Sequence, residues 1–271
     1  MSLRKGKLQS QYTIVDHLLM HARVSAEPLP QDAPVVILVH GVVISSRYMI
    51  PTAELLAPDY RVYAPDFPGY GESDKPDYML NLVELAEALR KWMDAIGIEE
   101  ATMLGNSFGC QIIVEFALRY PERIQRAVLQ GPTIDRHARN FPAQLLRFLI
   151  NAPREDSSQT PIQIYDYWLA GLPRIVHTIQ MALSDPIEEK LTYLNVPTLV
   201  VRGTKDPVVP QKWAEEVVNL LPKGQLAVIP GAAHTINYSA PLELVRVTRA
   251  FLEATEPHLK HKEKMNESTL D

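Results

Sequence analysis

Residues 104–109 combine residue types and a spacing that suit nucleophilic chemistry. They read Leu-Gly-Asn-Ser-Phe-Gly and contain the pattern G-x-S-x-G, with the serine at position 107. A short apolar run at 101–104 precedes them, and an apolar stretch of helical length follows at 110–118. A sharp strand-to-helix turn lifts such a serine above the sheet edge, and the flanking glycines let the backbones pass closely. The helix N-terminus then faces any developing negative charge, so the sequence predicts a nucleophile at Ser107.

A serine hydroxyl needs a base within hydrogen-bond reach, and the base needs a carboxylate that orients it. In a parallel sheet, the reacting groups lie beyond the carboxyl ends of the strands. Two further predicted strand ends carry suitable residues, because Asp206 follows a strand at 197–202 and His234 follows one at 226–230. Asp135, which follows a predicted strand at 124–130, is a rival candidate for the acid.

The elements that must position these residues alternate between strands and helices. This alternation predicts an α/β fold with a mostly parallel central sheet and helices on both faces. An opening hairpin adds an antiparallel edge. Strands are predicted at 12–15, 18–24, 34–39, 60–66, 101–104, 124–130, 197–202 and 226–230, and helices at 80–96, 110–118, 213–221 and 242–254.

The alternation stops between residues 133 and 193. No β-branched strand pattern occurs there, and short helical patterns each begin near a proline, which is favoured in the first helical turn. These prolines are Pro142, Pro161, Pro173 and Pro186. We predict a small helical cap at 133–193, inserted into a core formed by 10–132 and 194–255, with a C-terminal tail at 256–271.

Together, these motifs resemble the α/β-hydrolase fold superfamily over roughly residues 10–255. The chain order of serine, acid and histidine is that of this superfamily. The resemblance implies a serine hydrolase with a helical cap. It rests on His-Gly at 40–41, Asp-Phe-Pro-Gly-Tyr-Gly-Glu-Ser at 66–73, Gly-Asn-Ser-Phe-Gly at 105–109, Arg-Gly-Thr-Lys-Asp-Pro at 202–207 and Gly-Ala-Ala-His at 231–234.

The resemblance also implies a role for each site residue. Ser107 attacks an electrophilic carbonyl, and His234 takes its proton and returns it to the leaving group. Asp206, whose Gly-x-x-Asp setting resembles the family, is preferred as the acid that orients the imidazole. Phe108, directly after the nucleophile, and Val42 are expected to donate backbone N–H groups to an oxyanion hole. His40 is expected to shape the Val42 loop and not to carry protons.

The predicted cap lies where related enzymes carry a lid over the nucleophile. Its large apolar side chains, among them Phe148, Tyr165 and Trp168, are candidates for an apolar acyl pocket, although periodic apolar residues usually pack against one another. Four cap arginines are candidates for contacts with an acidic substrate, although solvated surface is the preferred interpretation for each of them. These are Arg136, Arg139, Arg147 and Arg174.

The preferred function is cleavage of a carboxylic ester, or a related acyl bond, of a small apolar substrate through an acyl-enzyme. Gly-Asn-Ser-Phe-Gly with a helical lid also resembles the carbon–carbon hydrolases that cleave ring-fission products of aromatic catabolism. Those enzymes commonly carry a tryptophan after the catalytic histidine, where this chain has Thr235. A third alternative is a slow or non-catalytic receptor for a small ligand. A serine nucleophile argues against haloalkane dehalogenases and epoxide hydrolases, which use aspartate.

Composition limits the remaining possibilities. The net charge of −5 argues against nucleic acid as a partner, and no apolar run approaches the roughly 20 residues that span a membrane. The N-terminus has no signal-peptide core, so we expect a soluble, cytoplasmic protein that is a monomer or homodimer. The single cysteine, Cys110, cannot form an internal disulfide and is expected to be buried. His17 and His21 lack a third ligand nearby, so we expect no metal site there. We also expect no cofactor.

Overall fold

The computed structural model describes residues 4–255, so the predicted tail at 256–271 lies outside the described residues. Its strands form one eight-stranded sheet in the order β1-β2-β4-β3-β5-β6-β7-β8. Their bounds are β1 Leu8–Val15, β2 Leu18–Ser25, β3 Val35–Val39, β4 Arg61–Pro65, β5 Ala101–Asn106, β6 Ile124–Gln130, β7 Thr198–Gly203 and β8 Gly224–Ile229.

Strands β3 to β8 pair in parallel, whereas β1 and β2 form an antiparallel hairpin that joins the sheet through β4. This arrangement confirms the predicted fold class. The first strand begins at Leu8, earlier than the predicted residue 12, because Gln9 and Ser10 pair with β2 despite their polarity. They lie on an edge strand, where one face is open to water and polar residues are tolerated.

Ten α-helices accompany the sheet within the described chain. Several short 3-10 turns join them. The helices are α1 Ile50–Leu56, α2 Leu82–Ala95, α3 Phe108–Arg119, α4 Phe141–Asn151, α5 Thr160–Ala170, α6 Leu172–Ser184, α7 Ile187–Leu191, α8 Gln211–Leu220, α9 Ile236–Ser239 and α10 Pro241–Ala254.

The sheet separates two apolar layers. On one face, α2, α3 and α8 bury Trp92, Phe116 and Trp213 completely or almost completely. On the other face, α1 and α10 bury Leu56 and Phe251. Strands β5 and β7 are buried along their whole length, as expected for parallel strands covered on both sides. The carboxyl ends of these strands, where the candidate site lies, therefore extend from a well-packed core.

Sequence signals for helix ends are realised in α2. Asn81 accepts a hydrogen bond from the Glu84 N–H, and the Glu84 carboxylate accepts one from the Asn81 N–H, forming a capping box. Beyond the helix, Gly97 adopts a φ of 70°, which suits the glycine predicted at that end. The helix begins two residues later than predicted.

Four helices, α4 to α7, occupy the segment between β6 and β7. Three of them have a proline at their first or second position, and Pro186 directly precedes α7. Ala127 of β6 pairs with Thr198 of β7, so the two strands that flank the insertion are direct neighbours in the sheet. The insertion is thus helical, as its pattern predicts, while the exact cap boundaries stay a prediction. None of the helices between residues 4 and 255 is long and apolar enough to cross a bilayer.

Candidate active site

Ser107 lies at the junction of β5 and α3, in the strained turn that the sequence predicts. Its φ of 56° and ψ of −120° are unusual for a residue with a side chain. Glycine is required at the two flanking positions because neighbouring atoms approach the backbone closely there. A Cβ on Gly109 would lie 2.4 Å from the Val39 carbonyl oxygen, and one on Gly105 would lie 2.7 Å from the side chain of Ile113. Gly105 and Gly109 therefore allow β5 and α3 to pack against their neighbours.

His234 and Asp206 meet beyond the ends of β8 and β7. His234 Nδ1 lies 2.8 Å from Asp206 Oδ2, and both residues are buried. The other carboxylate oxygen of Asp206 accepts from the backbone N–H groups of Val208 and Val209. Since Asp206 fixes the Nδ1 side of the ring, His234 Nε2 is left without a protein partner among the described residues.

The surroundings of His234 act on its pKa in opposite directions. Burial lowers the pKa, but the Asp206 carboxylate, with its charge and its hydrogen bond, and the charge of Glu155 raise it. The result is a pKa above the usual value of 6.5. A neutral imidazole oriented in this way can accept a proton at Nε2, and the imidazolium that forms is stabilised by the two carboxylates.

Asp135, the rival acid, has different partners. Its carboxylate accepts from Arg147 at 2.7 Å and from the His137 N–H at 2.9 Å. It is buried and paired with a cap arginine, so its charge is already compensated. In the structure, Asp206 therefore contacts His234, whereas Asp135 contacts a cap arginine.

The two predicted oxyanion donors lie at the wall of one small cavity that also includes Ser107. Phe108 is the first residue of α3, and an N–H group in the first helical turn has no acceptor within the helix. Val42 lies in the loop after β3. His40 shapes this loop, as predicted. Its Nδ1 lies 3.0 Å from the Gly41 carbonyl oxygen, its Nε2 accepts from the Phe67 N–H, and burial lowers its pKa.

A hydrogen-bond network that the sequence did not reveal connects the parts of the site. The Tyr48 hydroxyl accepts from the Gly41 N–H at 2.6 Å and donates to Asn106 Oδ1 at 2.8 Å. Gln130, at the end of β6, donates to the His234 carbonyl oxygen at 2.6 Å. Asn106 lies inside the serine motif, but Tyr48 and Gln130 have no signal in the sequence.

An apolar pocket lies directly beside Ser107. Its volume is about 40 Å³. Of the three predicted substrate contacts, only Phe148 is part of its wall. Tyr165 and Trp168 border a separate, open hollow on the cap, where Trp168 is 75% exposed. The pocket is lined by Val42, Ser107, Phe108, Thr133, Ile134, Gln144, Phe148, Ile179, Ala182 and Leu183.

A larger cavity, which we call the vestibule, lies on the other side of Phe148. Its volume is about 520 Å³, and its wall includes His234 and Thr235 from the core and residues of α4 and α5 from the cap. The Phe148 and His234 rings are nearly perpendicular, with 6.2 Å between their centroids. Phe148 thus divides a small apolar pocket on the serine side from a wide vestibule on the histidine side.

The four cap arginines are all engaged by the protein itself. Arg147 contacts Asp135 and Arg139 contacts Glu188, while Arg136 pairs with Glu216 at 3.2 Å. Arg174 donates to the Pro76 carbonyl oxygen. Arg136 is exposed, as expected of solvated surface, whereas Arg139, Arg147 and Arg174 are half-buried.

No group of three or more His, Cys, Asp or Glu side chains is arranged to hold a metal ion in the described part of the chain. Cys110 is buried, as predicted, and burial raises its pKa well above the usual value. Its thiol is therefore not a competing nucleophile at neutral pH.

Comparison with known proteins places the chain in a family. Residues 34–159 match the model of the alpha/beta hydrolase fold, and residues 169–259 match that of the TAP-like proteins. The chain is 29% identical to a 2-hydroxy-6-oxo-6-phenylhexa-2,4-dienoate hydrolase of Burkholderia cepacia, with 76% of this chain and 82% of that protein covered. It is 25% identical to carboxylesterase YbfK of Bacillus subtilis, with 78% of each covered.

The fold is also found among solved structures. An esterase from Rhodococcus sp. ECU1013 superposes with a TM-score of 0.73 at 23% identity, covering 91% of this chain and 98% of that one. The sheet order, the strained serine turn and the two matching family models agree with one another. The chain belongs to the α/β-hydrolase fold superfamily.

Proposed function

We propose that this protein is a serine hydrolase that cleaves a carboxylic ester, or a related acyl bond, of a small and largely apolar substrate. The observation that carries the proposal is the arrangement around His234. Its Nδ1 is bound to buried Asp206, its Nε2 has no partner among the described residues, and Ser107 is held in a strained turn at the start of α3.

The reaction follows from these positions. Ser107 Oγ attacks the acyl carbonyl while His234 Nε2 takes its proton, and the negative charge on the carbonyl oxygen is met by the Val42 and Phe108 N–H groups. The imidazolium then gives the proton to the departing alkoxide, which leaves an acyl-enzyme. A water molecule, activated by the same imidazole, releases the acid and restores Ser107.

The two cavities support an assignment of substrate parts. The apolar pocket beside Ser107 suits a short acyl chain, and the wider vestibule beside His234 suits the leaving group that receives the proton. An acyl part of a few carbons fits the small pocket volume of about 40 Å³. The vestibule accepts a wider range of leaving groups, because it is larger and its wall includes both polar and apolar side chains.

A second candidate is hydrolysis of a carbon–carbon bond in a ring-fission product. It is favoured by the 29% identity to the dienoate hydrolase of Burkholderia cepacia. Thr235 in place of the tryptophan common in such enzymes weighs against it. A receptor that binds a ligand without turnover is the third alternative.

Activity measurements separate these three candidates. Purified protein is assayed with p-nitrophenyl acetate and butyrate, with lactones and with a ring-fission dienoate, beside Ser107→Ala. The proposal predicts ester turnover with a burst of one p-nitrophenol per Ser107 when deacylation is slow, and no turnover by Ser107→Ala. Turnover of the dienoate alone selects the carbon–carbon hydrolase, and tight binding without turnover selects the receptor.

A further inference from the structure

Glu155 is a cap residue whose carboxylate contacts the backbone of the candidate catalytic histidine. Its Oε1 accepts from the His234 N–H at 2.8 Å and from the Thr235 N–H at 2.9 Å. Its Oε2 accepts from the Thr235 hydroxyl. The side-chain amides of Asn151 and Gln159 also donate to it, at 2.7 and 3.3 Å. Five donors from three segments therefore converge on one carboxylate.

These contacts complete the fixation of His234. Asp206 holds the ring at Nδ1, Gln130 holds the backbone carbonyl at 2.6 Å, and Glu155 holds the backbone N–H. Asp206 and Gln130 belong to the core, whereas Glu155 lies between α4 and α5 of the cap. A catalytic group acts well only when its neighbours lock it in position, and here one of the locks comes from the cap.

We propose that Glu155 is a positioning residue that couples the seating of the cap to the position of His234. The inference rests on the proposed function, because it assumes that His234 acts as the base for Ser107. When the cap is seated, the carboxylate fixes the His234–Thr235 segment. When the cap moves away, that segment loses three hydrogen bonds and the imidazole is held by the core alone.

Thr235 is part of the same device. Its hydroxyl donates to Glu155 and accepts from Gln159 Nε2 at 3.1 Å. Thr235 directly follows the histidine. Its hydroxyl is the third donor that residues 234–235 offer to Glu155, after their two backbone N–H groups. The residue that departs from the carbon–carbon hydrolase pattern is therefore the one that joins Glu155 to the histidine segment.

The charge of Glu155 provides a readout that a purely structural contact would lack. The charged side chains that act on His234 are Asp206, from the loop after β7, and Glu155, from the cap. Both favour the imidazolium. Neutralising Glu155 should therefore lower the pKa of His234. For any reaction that needs neutral His234, the acid limb of the pH–rate profile should then move to lower pH.

The test compares Glu155→Gln with Glu84→Gln, a matched control. Glu84 also accepts from a backbone N–H, but in the capping box of α2. In the Glu155→Gln variant, the new side chain keeps the size of the old one but is neutral and carries an amide in place of one carboxylate oxygen. The measured quantity is the rate constant for labelling of Ser107 by a fluorophosphonate between about pH 5 and 9, together with the thermal unfolding midpoint.

We expect labelling of Glu155→Gln to be about tenfold slower than wild type above about pH 8, because a misplaced catalytic group loses rate steeply. Its acid limb should lie at lower pH, and Glu84→Gln should match wild type in both. An unchanged rate and limb in folded Glu155→Gln would overturn the inference. A lower unfolding midpoint with an unchanged limb would also overturn it, because it would indicate a structural role alone.

Two further measurements cover the remaining outcomes. If Glu155→Gln does not fold, Thr235→Val removes one donor to the same carboxylate and should slow labelling in the same direction, while an unaltered rate would contradict the coupling. If wild type is not labelled at Ser107, the proposed function fails. The imidazole titration of His234, followed by NMR in wild type and Glu155→Gln, then still decides whether Glu155 controls this residue.

Discussion

Replacing Phe148 with alanine should change which acyl chain is cleaved best, because its ring separates the apolar pocket from the vestibule. The pocket is small, with a volume of about 40 Å³, and its wall is mostly apolar. We expect an optimum at short acyl chains, near butyryl, because a few carbons fill so small a pocket.

The size of the chain-length effect follows from burial of methylene groups. Each fully buried methylene contributes about 0.8 kcal/mol, which is about a fourfold change in kcat/KM. From acetyl to butyryl, kcat/KM should thus rise up to about 16-fold and then fall for longer chains that the small pocket cannot hold. In Phe148→Ala, longer chains can extend into the vestibule, so the fall beyond butyryl should disappear.

The assay is a series of p-nitrophenyl esters with acyl chains of about 2 to 10 carbons, measured for wild type, Phe148→Ala and Trp168→Ala. Trp168 borders the outer hollow and is 75% exposed, so its removal should leave the profile unchanged. If Trp168→Ala flattened the profile while Phe148→Ala kept it, the acyl group would bind at the outer hollow, and the reasoning from the pocket beside Ser107 would be refuted.

Three further predictions concern the acid, the base and the serine turn. Asp206→Asn should lower kcat by roughly 10⁴, whereas Asp135→Asn should lower it far less. If steady-state kinetics showed the larger loss for Asp135→Asn, Asp135 would be the catalytic acid. Because the pKa of His234 is raised, kcat/KM should climb with pH through a midpoint above 6.5, and a pH–rate profile with a midpoint below that value would contradict the carboxylate effect. Gly109→Ala should destabilise the fold by about 2–3 kcal/mol, since its Cβ would meet the Val39 carbonyl oxygen, and an unchanged denaturation midpoint would disprove this close approach.

The sequence predicted the parts of the protein that depend on local patterns. Strand and helix periodicity indicated the sheet, and the motif around Ser107 indicated the strained turn because close packing at Gly105 and Gly109 requires glycine. Asp206 and His234 could be selected because each follows a predicted strand, and the structure has β7 and β8 there. For Asp206 and His234, the residue type and the order of strands along the chain are sufficient to predict that both lie at the same end of the sheet.

The sequence could not predict which side of a cap helix faces the site. Helix α5 has large apolar residues around much of its circumference, so nothing in its pattern separates an outward Trp168 from an inward contact. Glu155 lies in a polar stretch that is typical of a loop, and its five hydrogen bonds depend on the seating of the cap. The first strand is longer than predicted because pairing with β2 outweighs the polarity of Gln9 and Ser10.

The central claim, that Ser107 is a nucleophile activated by His234, is tested most directly by covalent labelling. Wild type, Ser107→Ala and His234→Ala are treated with a fluorophosphonate, and the modified residue is identified by peptide mass spectrometry. We expect one label per wild-type chain, on Ser107, with no label on Ser107→Ala and strongly slowed labelling of His234→Ala. Stoichiometric labelling of another residue, or equal labelling of His234→Ala and wild type, would contradict the claim.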